Sequence, residues 1–129
     1  MDRKAEDRKA KGREVMERVF GTPRAEETRA SHKAFSELTQ DYLFGEIWSR
    51  PGLALEERSL ITVAIACATG REPQLKAHLK GALNLGHSPD KLREVMIHTA
   101  HYAGWPTGVN GLRVLAETVE EQGLSFSED

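Results

Sequence analysis

The run Leu60-Ile61-Thr62-Val63-Ala64-Ile65-Ala66-Cys67-Ala68 constrains this chain more than any other stretch. It is far shorter than the roughly 20 residues a membrane-spanning helix requires. It is stopped by Thr69-Gly70 and preceded by Glu56-Glu57, two carboxylates that suit the positive end of a helix dipole. The pattern predicts a helix over Leu53–Ala68. A helix apolar on nearly every face is expected at the centre of a fold, and Cys67 within it reads as a core residue.

The remaining chain predicts more helices around this one. Residues 1–20 mix Lys, Arg, Glu and Ala, with Val15, Met16, Val19 and Phe20 placed late and Gly21 as the stop. The first dozen residues carry no apolar stripe and are expected to be loose. Glu26 to Trp48 has helical spacing, with Gly45 a candidate interruption and Arg50-Pro51-Gly52 the end. Pro73 opens a helix over Glu72–Leu85 at a position where a missing N–H costs nothing. Leu75, His78, Leu79, Ala82 and Leu85 share one of its faces. Ser88 then caps a helix with Pro89 at its first position. Leu92, Val95, Met96, Thr99 and Ala103 form one stripe of that helix, and Glu94, His98 and His101 another. Gly104-Trp105-Pro106 breaks the chain before a last helix over Pro106–Gln122, which uses Val109, Leu112, Leu115, Ala116 and Val119. The tail, residues 124–129, is expected to be loose. No alternating run and no Asn-Gly turn indicate a strand. The reading is a single all-α domain over residues 1–129, a bundle of about six helices.

Composition excludes several function classes. The net charge of −2 offers no basic stripe interleaved with aromatics, so nucleic acid is not an expected partner. A single cysteine makes neither an internal disulfide nor a Cys-x-x-Cys pair, and a free buried thiol suits a reducing compartment. The charged N-terminal stretch is the opposite of a secretory signal. The expectation is a soluble, cytoplasmic protein with no membrane partner.

Chemistry centres on the histidines. His78 stands on a face of leucine and alanine; it is either a core histidine satisfied by the backbone or a proton carrier, since imidazole titrates near neutral pH. Arg71, just before a helix N-terminus, is either solvated or a seat for a carboxylate. Gln74, one turn before His78, can hydrogen-bond the ring or a ligand. His98 and His101 lie three apart with Glu94 one turn earlier, but zinc needs three or four ligands in fixed geometry, so no metal is expected. Tyr102 and Trp105 line a pocket or an interface. His32 and His87 read as surface residues. No phosphate-binding glycine loop or nucleophile elbow is present.

Taken together, Arg58-Ser59-Leu60-Ile61-Thr62, the Gly70-Arg71 break, His78 followed by Gly81-Ala82-Leu83-Asn84, Pro89 to Glu94-Val95, His98, and Tyr102-Ala103-Gly104 with Pro106 resemble the carboxymuconolactone decarboxylase family. Its wider superfamily includes AhpD-like alkylhydroperoxidases. The resemblance covers roughly residues 30–120. It implies an AhpD-like helical subunit that assembles into an oligomeric ring, a hexamer or trimer, with an active site between helices near a subunit boundary. It implies cofactor-free decarboxylation of 4-carboxymuconolactone in protocatechuate breakdown, the β-ketoadipate pathway. On that basis His78, Arg71 and Gln74 are the expected catalytic residues, His98, Tyr102 and Trp105 the expected substrate-binding residues, and a small carboxylated lactone the expected partner. Where family members carry Glu-Leu-x-x-His, this chain reads Gln74-Leu75-Lys76-Ala77-His78. The Cys-x-x-Cys pair of the peroxidase branch is missing, so thiol peroxidase chemistry is not expected. The alternatives are a peroxidase-family relic without that pair and a non-catalytic small-molecule-binding oligomer.

Overall fold

The computed structural model describes residues 2–21 and 32–127. Among these residues every regular element is helical: α1 (Arg3–Phe20), α2 (Lys33–Leu38) continuing into a π-helical stretch (Thr39–Ile47), α3 (Leu55–Ala68), α4 (Glu72–Asn84), α5 (Pro89–Ala103) and α6 (Trp105–Glu121). Among the described residues no helix is long and apolar enough to cross a membrane. The chain divides into two compact units, Met1–Leu55 and Glu56–Asp129.

In the first unit, α1 starts earlier than its weak apolar pattern suggests. The Asp2 carboxylate accepts from the Lys4 amide at 3.0 Å, a cap that satisfies an otherwise orphaned N–H. Arg8 adds a 3.0 Å ion pair with Glu46. Residues 22–31, and with them the start of the helix predicted from Glu26, lie outside the described residues. Gly45 does not interrupt the helix; it lies within a wide-turned segment that the spacing alone did not foretell. Its role is close approach. A Cβ on Gly12 would sit 1.8 Å from the Gln40 carbonyl oxygen, and one on Gly45 would sit 2.4 Å from that of Arg8. Backbone therefore meets backbone, and Val15, Met16, Val19, Phe44 and Trp48 are buried together, with Phe20 edge-on to Phe44.

The second unit is built on Val63, Ala66 and Cys67 of α3, Leu75, Leu79 and Ala82 of α4, Leu92 and Met96 of α5, and Val114, Leu115 and Val119 of α6. Each fully buried leucine there contributes roughly 1.5–3 kcal/mol relative to exposure. Ser88 caps α5 by accepting from the Lys91 amide, and Pro89 occupies its first turn. α6 buries Gly108, Gly111, Val114, Leu115, Thr118 and Val119. That stripe differs from the predicted one, because Val109 and Ala116 face outward and two glycines replace them. A Cβ at position 108 would lie 2.4 Å from that of Ala100; at position 111 it would lie 2.6 Å from the Cys67 sulfur.

α3 is not enclosed. Ser59, Val63, Ala66 and Cys67 are buried, but Ile61 and Ile65 are 46% and 57% exposed. Among the described residues of this unit, the other helices cover the side of α3 that carries Val63, Ala66 and Cys67 and not the side that carries Ile61 and Ile65. The tail is docked as far as Ser127: Arg93 lies 5.0 Å over the Phe126 ring, and the Ser127 amide donates to both Asp90 carboxylate oxygens at 3.2 Å.

Replacing Gly12 with Ala should destabilise the first unit by about 2–4 kcal/mol, since rigid backbone and not a movable side chain blocks the new methyl. Gly52→Ala, with open space around it, is the control and should be near neutral; urea unfolding compares the two. At the tail, hydrogen bonds from Ser127 hold the Asp90 carboxyl below its ordinary value, with Arg93 adding to the effect. A carboxyl lowered on folding stabilises above its unfolded pKa of about 4 and loses that contribution as pH falls through the folded value. Tail signals in NMR spectra should therefore sharpen only as pH falls below the ordinary carboxyl value of about 4 and through the lowered folded one, and in Asp90→Asn at neutral pH.

Candidate active site

Two groups of candidate residues emerge on different helices. The first is a strip on α4. Arg71 occupies the position before the helix, its amide donating to the Ala66 carbonyl at 3.0 Å, and its side chain is exposed. Gln74, three residues on, is also exposed. His78, one turn further, is half-buried, with its Nδ1 inside the protein. The four-residue spacing puts the Gln74 amide and the His78 imidazole on one side of the helix, and Arg71 precedes its first turn. Leu75 and Leu79 turn inward beside them, which explains why the ring is partly desolvated. The strip offers a cation for a carboxylate, an amide N–H for a developing oxyanion, and an imidazole for proton transfer.

The second group lies on α5 and the start of α6. His98 and Tyr102 line an open groove between α3 and α5, with Ala64, Ile65, Ala68, Thr99 and Ala103, of about 420 Å³. The groove continues for about 480 Å³ past Leu60, Ile61, Lys91, Glu94 and Val95. The His98 and Tyr102 rings are 5.0 Å apart, tilted by 36°. Tyr102 is 84% exposed. Trp105 stands edge-on to His101 at 5.6 Å and does not line the groove; nor do Arg71, Gln74 and His78. Of the six expected site residues, this groove takes in His98 and Tyr102.

The other histidines sort differently from expectation. His32 is exposed. His87 is not a surface residue: it is 9% exposed and its Nε2 lies 2.9 Å from the Glu56 carbonyl oxygen, so that nitrogen carries the proton. It ties the turn after α4 to the first turn of α3. No sequence periodicity marks a turn histidine as buried, which is why it was missed. His101 places Nδ1 2.8 Å from the Ile97 carbonyl oxygen. Among the described residues no group of three or more His, Cys, Asp and Glu could hold a metal ion.

Cys67 is buried, with its sulfur 3.6 Å from the Thr107 carbonyl oxygen, and burial pushes its thiol pKa up. The reactive thiolate is disfavoured there.

The chain belongs to the carboxymuconolactone decarboxylase family, whose sequence model matches residues 33–117. It is 33% identical over 124 residues to the 4-carboxymuconolactone decarboxylase of Acinetobacter baylyi, covering 93% of this chain and 92% of that one. It is 29% identical over 114 residues to nitrosuccinic acid decarboxylase npaB of Metarhizium robertsii, covering 85% of this chain and 80% of that one.

Two outcomes test the geometry. His87→Ala should lower stability by roughly 1–3 kcal/mol, the cost of losing a buried side chain and its bond to the Glu56 carbonyl, measured by thermal unfolding. Native protein should react with iodoacetamide far more slowly than urea-unfolded protein at the same pH, because Cys67 is the chain's only thiol.

Proposed function

We propose that this protein is a cofactor-independent carboxy-lyase acting on a small carboxylated lactone, or on an acid with an equivalent electron sink, in the breakdown of aromatic compounds. The observation that carries the reading is that the family match spans α4, the helix that carries the half-buried His78 imidazole and is preceded by the exposed Arg71. Both curated relatives are named as decarboxylases. The two substrates in those names share a chemical feature. In 4-carboxymuconolactone the sink is a conjugated lactone carbonyl, and in nitrosuccinic acid it is a nitro group beside a carboxylate.

The chemistry follows from that sink. The bond from carbon to carboxylate breaks, CO₂ leaves, and the bonding pair spreads into the carbonyl or nitro oxygens. The anion is then protonated at carbon, so each CO₂ released consumes one proton. His78 supplies that proton. Gln74 donates to the oxygen that gains charge, which favours the transition state over the bound acid. Arg71 seats a carboxylate that stays with the product; a cation held against the departing carboxylate would stabilise the ground state instead. In this reading the α4 strip carries the chemistry, and the chain assembles into a homo-oligomer. Exposed Ile97, Trp105 and Val109 supply apolar surface for that assembly.

A thiol peroxidase reading finds no comparable support. Disulfide chemistry needs a second thiol near the first, and the one cysteine here is packed in the core.

Purified protein should consume 4-carboxymuconolactone or nitrosuccinate, followed by absorbance and CO₂ release. His78→Ala should lower kcat by roughly 100-fold or more, and Arg71→Ala should act mainly on KM. No turnover of either compound, or full activity without His78, would reject the reading. Sedimentation showing only monomer at micromolar concentration would reject the assembly.

A further inference from the structure

The groove between α3 and α5 has a composition that the α4 strip does not explain. Its floor is aliphatic, from Ile61, Ala64 and Ile65, and its α5 wall carries three polar side chains in helical register, Lys91, Glu94 and His98. Many charges on this unit are already paired: Lys76 with Glu121 at 2.6 Å, Arg113 with Glu72 at 2.6 Å, and Arg93 with Asp90 at 2.8 Å. The Lys91 ammonium and the Glu94 carboxylate make no ion pair or hydrogen bond among the described residues. His98 stacks against the Tyr102 ring and makes no ion pair or hydrogen bond among the described residues. The two stretches are open depressions of about 480 and 420 Å³, and like ligand sites they are mostly apolar with a few placed polar groups.

We infer that this groove binds a small carboxylic acid with a flat unsaturated body, a single negative charge and an oxygen at the end opposite its carboxylate. Lys91 and His98 are seven residues apart, roughly 10 Å along the helix. A six-membered ring with an oxygen function at each end bridges them with one hydrogen bond at each terminus. The carboxylate sits at Lys91, the only cation in the lining. The hydroxyl or carbonyl oxygen sits at His98, with Tyr102 against the ring. Glu94 stands between the two and repels a second negative charge, so the site distinguishes a monoanion from a dianion. The site is separate from the α4 strip, and the inference does not rest on the decarboxylase reading.

The test uses the full chain, with 4-hydroxybenzoate, benzoate and terephthalate as probes, titrated by calorimetry and by amide shifts in NMR spectra. The expected order is 4-hydroxybenzoate, then benzoate, then terephthalate, with the shifts concentrated on α5 and α3. Lys91→Ala should weaken 4-hydroxybenzoate tenfold or more. His98→Ala should bring 4-hydroxybenzoate down to the level of benzoate. Glu94→Gln should raise terephthalate affinity by at least threefold. These three side chains are exposed, so the variants should keep the wild-type melting profile. His78→Ala should leave 4-hydroxybenzoate binding unchanged, whatever it does to turnover. The inference is overturned if no probe binds at millimolar concentration, if Lys91→Ala binds as well as wild type, or if His78→Ala abolishes binding. It is also overturned if Ile65→Asp dissociates an oligomer in which the groove takes up no probe, since a second copy would then be its occupant.

Discussion

The second unit depends on how closely α6 can approach its neighbours. With no side chain at Gly108 and Gly111, that helix settles against Ala100, Met96 and Cys67 at distances a methyl group would forbid. The contact fixes the rotation of α5. Met96, Thr99 and Ala100 turn inward, so His98, His101 and Tyr102 must project outward at about 100° per residue. The polar wall of the groove is thus a geometric consequence of two missing side chains on another helix.

The helices themselves were legible because their punctuation is strong. Ser88-Pro89, Pro73, Gly86 and Gly104 locate three helices within a residue or two. The inward faces of α4 and α5 also follow simple periodicity. What periodicity misread were faces whose contacts involve no large side chain. Counting apolar residues on α6 selected Val109 and Ala116, whereas the buried stripe runs through glycine and Thr118. The same blindness concealed the π-helical stretch, where Gly45 serves close packing and not interruption. For α3, composition correctly marked an apolar helix but could not tell whether its coverage comes from its own chain.

The site was legible at the level of residue type and less so in arrangement. His78 and Gln74 share one side of α4 because four-residue spacing is a local property of any helix, and Arg71 stands at the position before its first turn. Whether that strip and His98 share a cleft depends on how α4 and α5 are turned about α6, which no local pattern encodes. His87 makes the same point from the other direction. Its burial comes from a long-range bond to the Glu56 carbonyl, and a turn position gave no hint of it.

The open side of α3 has a practical consequence. Salts excluded from protein surfaces, such as sulfate and phosphate, strengthen the tendency of apolar faces to leave water. Ile61, Ile65 and the neighbouring Tyr102 are such a face. Choice of buffer anion is therefore a variable of state for this molecule: preparations in chloride and in sulfate are different samples, even at matched pH and concentration.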